Sequence, residues 1–120
     1  MNIIIDPTQI KSYREKYTVL ELDTIRLLPE NREVTAYCVV DTIPITELPQ
    51  TESKINLHAN LLENYRKRDW NYCYQALEHL TGSWNRELDS FYEDIRNRIN
   101  IYMETDPGPS WDGVIEKHTA

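Results

Sequence analysis

The chain has 120 residues, 40% hydrophobic and 28% charged, which fits one domain around a single modest core. Its formal net charge of −7, from 13 Lys+Arg against 20 Asp+Glu, argues against a surface that neutralises a nucleic-acid backbone or adheres to anionic membranes. No apolar stretch approaches the roughly 20 residues that span a bilayer, and the opening "MNIIIDP" has neither a basic region nor a long apolar run, so it does not read as a secretion signal.

Asp6-Pro7-Thr8-Gln9 is a helix start: Asp6 caps, Pro7 suits the first helical position and Gln9 reaches back. That helix turns Ile10 and Tyr13 inward and stops near Tyr17. The segments "YTVLELDTIRLL" (17–28) and "EVTAYCVVDTI" (33–43) then carry Val, Ile, Thr and Tyr at period two. Leu20, Leu22 and Leu28 share one parity, and Val34, Ala36, Cys38 and Val40 share another. The spacer "PENR" (29–32) joins them as an antiparallel β-hairpin with a loop of four or five residues. Pro44 and Pro49 in "PITELPQTES" (44–53) mark a linker or edge segment between a β-containing first half and a helical second half.

From about Thr51 the pattern is helical. Leu57, Leu61 and Tyr65 lie four apart, with His58 and Leu62 alongside. Asp69 reads as a new N-cap, after which Trp70, Cys73, Leu77, Leu80 and Trp84 step by three and four until Gly82 ends the helix. Trp84, Leu88, Phe91, Ile95, Ile99 and Tyr102 form the stripe of a last helix. The expected fold is α+β: an N-terminal helix, one antiparallel hairpin, and helices near 52–67, 70–81 and 84–104, with no parallel pairing and no strand past residue 60. It reads as one domain, 1–120, with a helix-plus-hairpin half (1–50) and a helical half with a docked tail (51–120).

The stretch "HANLLENYRKRDWNYCYQALEHL" resembles one tetratricopeptide-type helix pair. The order Tyr65, Asp69-Trp70, Ala76, a helix through Arg98, Pro107 and Pro109, and then Trp111-Asp112-Gly113-Val114 resembles a segment found C-terminal to the catalytic domain of bacterial class III nucleotidyl cyclases. The resemblance covers residues 57–117, and the 56 residues before it are too few for the catalytic domain, so enzyme activity is not carried over. It implies an accessory helical module that packs on itself or on a partner. In the tail, Pro107 and Pro109 stiffen an approach that lets Trp111 dock on the helices. Trp70, Trp84 and Trp111 are the candidate tail anchors or partner contacts.

No motif for chemistry emerges. His58, His79 and His118 have no ligand-spaced Cys or His beside them, so no metal is expected. Cys38 and Cys73 read as reduced, buried thiols of a cytoplasmic protein. The three glycines, Gly82, Gly108 and Gly113, form no phosphate loop, and no cofactor is implied. The acidic neighbours Glu21 and Asp23, and Asp89, Glu93 and Asp94, read as solvated faces, and Arg66-Lys67-Arg68 as a complement to a helix dipole. Two readings of function follow. The first is a non-enzymatic interaction module that self-associates or meets a protein partner, because an isolated two-stranded hairpin needs cover for its edges; it binds no nucleic acid and no membrane. The second is a small-molecule-binding protein or enzyme with a site between hairpin and helices, carried by Glu21, Asp23, Tyr37, His58 and Tyr65. A phage-encoded accessory or structural role is a further alternative.

Overall fold

The computed structural model describes residues 1–41, 43 and 45–118, so Thr42 at the end of the expected second strand and Pro44 of the expected linker lie outside the described residues. The chain forms two compact units. One comprises Met1–Asp41 and the chain from Asp112 onward; the other is the stretch between, ending at Trp111. In chain order the helical unit is thus an insertion in the sheet unit, and the boundary falls at residue 41 rather than near residue 50.

The sheet unit contains β1 (Asn2–Ile4), α1 (Pro7–Arg14), β2 (Thr18–Leu28), β3 (Arg32–Val40) and β4 (Ile115–His118). The class is α+β, but the hairpin does not stand alone. The sheet has four strands in the order β1-β3-β2-β4, with β1 antiparallel to β3 and β4 parallel to β2. The expectation of a purely antiparallel hairpin with no strand past residue 60 is therefore corrected. The physical reason is that a bare hairpin exposes a ladder of unpaired amides and carbonyls along each outer edge. Short β-branched runs from both ends of the chain fill them: Ile3 and Ile4 on one side, Ile115 on the other. Ile115 stands opposite Ile25, which stands opposite Val34, a β-branched row across three strands.

Register shifts by one residue between Glu21 and Thr24 in β2. Before this bulge Leu20 faces Cys38; after it Ile25 faces Val34 and Leu27 faces Arg32. The extra residue reverses the parity, so by register the face of the buried Leu20, Cys38 and Val40 carries Ile25 and Leu27 after the bulge, with Leu28 on the other face, all three half-buried. The opposite face is polar at the same level, where the Thr24 and Thr35 hydroxyls meet at 2.9 Å. In α1, Asp6 accepts the Thr8 amide at 2.9 Å and Pro7 takes the first turn, as the residue types dictate. Ile10 is the buried residue of this eight-residue helix; Tyr13, expected inward, is exposed and stacks on Tyr17 with ring centroids 5.9 Å apart. Two turns of helix turn one apolar position fully to the sheet, which leaves Tyr13 at the rim.

The helical unit contains a 3-10 segment (Ile45–Gln50), α2 (Thr51–Arg66), α3 (Trp70–Leu80) and α4 (Asp89–Glu104). Its core is Leu61, Leu62, Tyr65, Cys73, Leu77, Leu80, Leu88, Phe91, Tyr92, Ile95 and Ile99, all buried. Tyr65 near the end of α2 meets Trp70 at the start of α3 and Tyr102 near the end of α4, while His58 within α2 meets Tyr92 near the start of α4. These contacts make α2 and α4 run the same way, with α3 antiparallel to both. The expected last helix from residue 84 begins instead at Asp89. Trp84, Asn85 and Arg86 form a left-handed turn with φ of 57°, 54° and 64°. Each such residue costs about 1–2 kcal/mol. The turn persists because it carries the Trp84 indole, 1% exposed, into the core.

Candidate functional site: the tryptophans and the tail

Three of the four rings at one end of the helical unit come from helix termini, and the fourth from the tail. Trp111 lies 5.2 Å from Tyr65, 5.8 Å from Trp70 and 5.1 Å from Tyr102 between ring centroids, at interplanar angles of 74°, 62° and 60°. The pairs with Tyr65 and Trp70 are edge-to-face and that with Tyr102 is tilted, and such aromatic pairs are each worth about 0.5–1.5 kcal/mol beyond their area. The loop before Trp111 is clamped by Arg68. Its guanidinium donates to the Gly108 carbonyl, to Asp106 Oδ1 at 3.1 Å and to the Trp111 carbonyl at 3.4 Å, and lies 5.3 Å over the Trp111 ring. Arg68 reaches this position from a left-handed conformation (φ 65°) just past α2, and Asp69 then caps α3 by accepting the Tyr72 amide at 3.2 Å. Within the basic run, Lys67 pairs with Glu63 at 2.9 Å, whereas Arg68 holds the tail rather than serving as a helix-end charge.

After Trp111 the chain passes into the sheet unit. Asp112 accepts from Arg26 at 2.7 Å; Arg26 also donates to Glu33 at 2.8 Å and to Glu116 at 3.2 Å, its direct cross-strand neighbours on β3 and β4. Asp112 Oδ1 accepts the Val114 amide at 3.1 Å, and Gly113 takes φ of 82°, which favours glycine. The Trp-Asp-Gly-Val run thus reads in order as ring anchor, charge anchor, turn and strand approach. The Arg26 guanidinium, with the Val114 amide, holds the Asp112 carboxyl below the ordinary carboxylate range, and the same contact raises the affinity of Arg26 for its proton. A depressed carboxylate stabilises the fold in full above its unfolded pKa and loses that contribution as pH falls through the lower folded value. Asp112→Asn is therefore expected to lower the denaturation midpoint at neutral pH, with the gap from the parent closing below about pH 4; midpoints measured across that window check it.

The three candidate tryptophans are placed differently. Trp70 and Trp111 touch each other and are half-buried. Trp84 is apart from them in the core: its Nε1–H donates to the Tyr92 hydroxyl at 2.9 Å, and that hydroxyl lies 2.9 Å from His58 Nδ1. The Tyr92 hydroxyl thus stands between the Trp84 N–H, from which it accepts, and the His58 ring nitrogen. Tyr92 was not legible as part of this relay, since it lies one residue off the stripe that runs through Phe91 and Ile95.

The residues of the second functional reading lie in both units. Glu21 faces Tyr37 across the hairpin, and Asp23 lies in the bulge. Tyr37 lies under the Arg14 guanidinium at 5.4 Å from its ring. His58 and Tyr65 are buried in the helical unit, where burial pushes the Tyr65 phenol above its ordinary range. Burial likewise pushes the Cys73 thiol up to about 12, so it is a thiol and not a nucleophile at neutral pH. Among the described residues, no group of three or more His, Cys, Asp or Glu is placed to hold a metal ion, and no helix is long and apolar enough to cross a membrane. The surface feature absent from the sequence reading is β1. It is an edge strand in which Ile3 is 55% exposed, with Ile5 just beyond it 58% exposed, and its signal in the sequence is the run of three isoleucines. Comparison with known proteins gives no match to a family model, a curated protein or a solved structure.

Proposed function

We propose that the protein is a non-enzymatic self-association module whose contact surface is the free edge of β1. The observation that carries this reading is the exposure of Ile3 within, and Met1 and Ile5 beside, a strand bonded on one side to β3, with no charged side chain from 1 to 5. Edge strands are ordinarily guarded by charge, proline or bulges against pairing with another chain. The pattern is its own complement. Antiparallel pairing of two β1 strands centred on Ile3 sets Met1 opposite Ile5 and joins two four-stranded sheets across a two-fold axis. Ile3 stands in the row of Leu20 and Cys38, so its exposed side chain carries the apolar character of that row to this edge. The resemblance of residues 57–117 to an accessory helical segment supports the same class of function. The tryptophans contribute to the fold rather than to this surface. Light scattering is expected to give a dimer for the parent at about 100 μM and a monomer for Ile3→Lys, a charge of the kind that protects natural edges. A monomeric parent, or a dimer that survives the lysine, contradicts the proposal.

A further inference from the structure

We propose that the sheet unit carries a second site, a cleft between α1 and β3 that takes a small organic anion with an apolar body. The cleft has a volume of about 920 Å³ and an apolar lining of Ile5, Ile10, Val34 and the Tyr37 ring. That size is within the range of small-molecule sites. Three cations border it: Lys11 and Arg14, one turn apart on α1, and Arg32 at the start of β3. None of the three is in an ion pair among the described residues; Arg14 rests on the Tyr37 ring and keeps its N–H edges unpaired by carboxylate. The acids of the cleft are otherwise engaged in part. Asp6 caps α1 and Glu33 is bonded to Arg26, which leaves Glu15 as the uncommitted one. Donors without acceptors therefore outnumber acceptors without donors around an apolar lining. This arrangement fits a carboxylate, sulfonate or phosphate joined to a ring or alkyl body, with the ring beside Tyr37 and the anion between Lys11 and Arg32. The cleft shares Ile5 with the β1 contact but does not include Ile3.

The test is a fluorescence titration of the full chain with anilinonaphthalene sulfonate and, in parallel, with the uncharged phenylnaphthylamine. Saturable one-site binding of the sulfonate is expected, much weaker binding of the uncharged probe, and an affinity for the sulfonate about tenfold lower or less in the Lys11→Gln/Arg32→Gln double variant. Both side chains project from exposed positions, so the variant melts with the parent. Ile3→Lys retains the binding, which separates this site from self-association. Absence of saturation up to about 1 mM, equal binding of the two probes, or an affinity unmoved by the double substitution overturns the proposal.

Discussion

Trp111→Ala is expected to destabilise the protein by about 3 kcal/mol, at the low end for removal of a large aromatic side chain because the ring is half-exposed. Two edge-to-face ring contacts, one tilted ring contact and the Arg68 guanidinium are lost together, and Tyr65, Trp70 and Tyr102 are left around a hole. The Arg68 clamp on the 106–111 loop weakens too, since the guanidinium also lies over the ring. Chemical denaturation monitored by circular dichroism measures the effect. A midpoint equal to that of the parent shows that Trp111 is not an anchor and returns it to the list of partner contacts.

Tyr92→Phe is expected to cost about 2–3 kcal/mol although it removes one oxygen. That oxygen is the one acceptor the Trp84 N–H has among the described residues, and it sits in a core where water does not replace it. His58 loses a partner in the same step. The loss falls on the left-handed turn at Trp84–Arg86, whose strain is offset by the burial and hydrogen bonding of Trp84. The same denaturation measurement checks this. A variant as stable as the parent shows that the relay contributes little and that packing alone holds the turn.

Local chemistry was legible in the sequence, and non-local pairing was not. Asp6 and Asp69 cap where their residue type and setting indicate, and the two strands of the hairpin follow from period two. The bulge at Glu21–Thr24 defeated the parity argument, because one inserted residue changes the face of every later side chain and leaves no mark in composition. β1 and β4 are three and four residues long, too short for periodicity to register, and β4 pairs with a strand some 90 residues earlier. Trp84 fits a helical stripe by spacing, yet three non-glycine residues in the left-handed region have no sequence signature. For the site, Trp70 and Trp111 stood out as large apolar residues at a helix start and in a tail. Arg68 did not, since a cation at a helix end has an adequate explanation without any tail contact.

The central claim is that the C-terminal segment belongs to both folded units, through Trp111 in one and through Asp112 and β4 in the other. The measurement that tests it most directly is the unfolding midpoint of a chain ending at Asp106 beside those of Trp111→Ala and the parent. The account predicts a lower midpoint for the shortened chain than for Trp111→Ala, because truncation also removes the Asp112–Arg26 pair and the ladder from β4 to β2. A shortened chain as stable as the parent contradicts it.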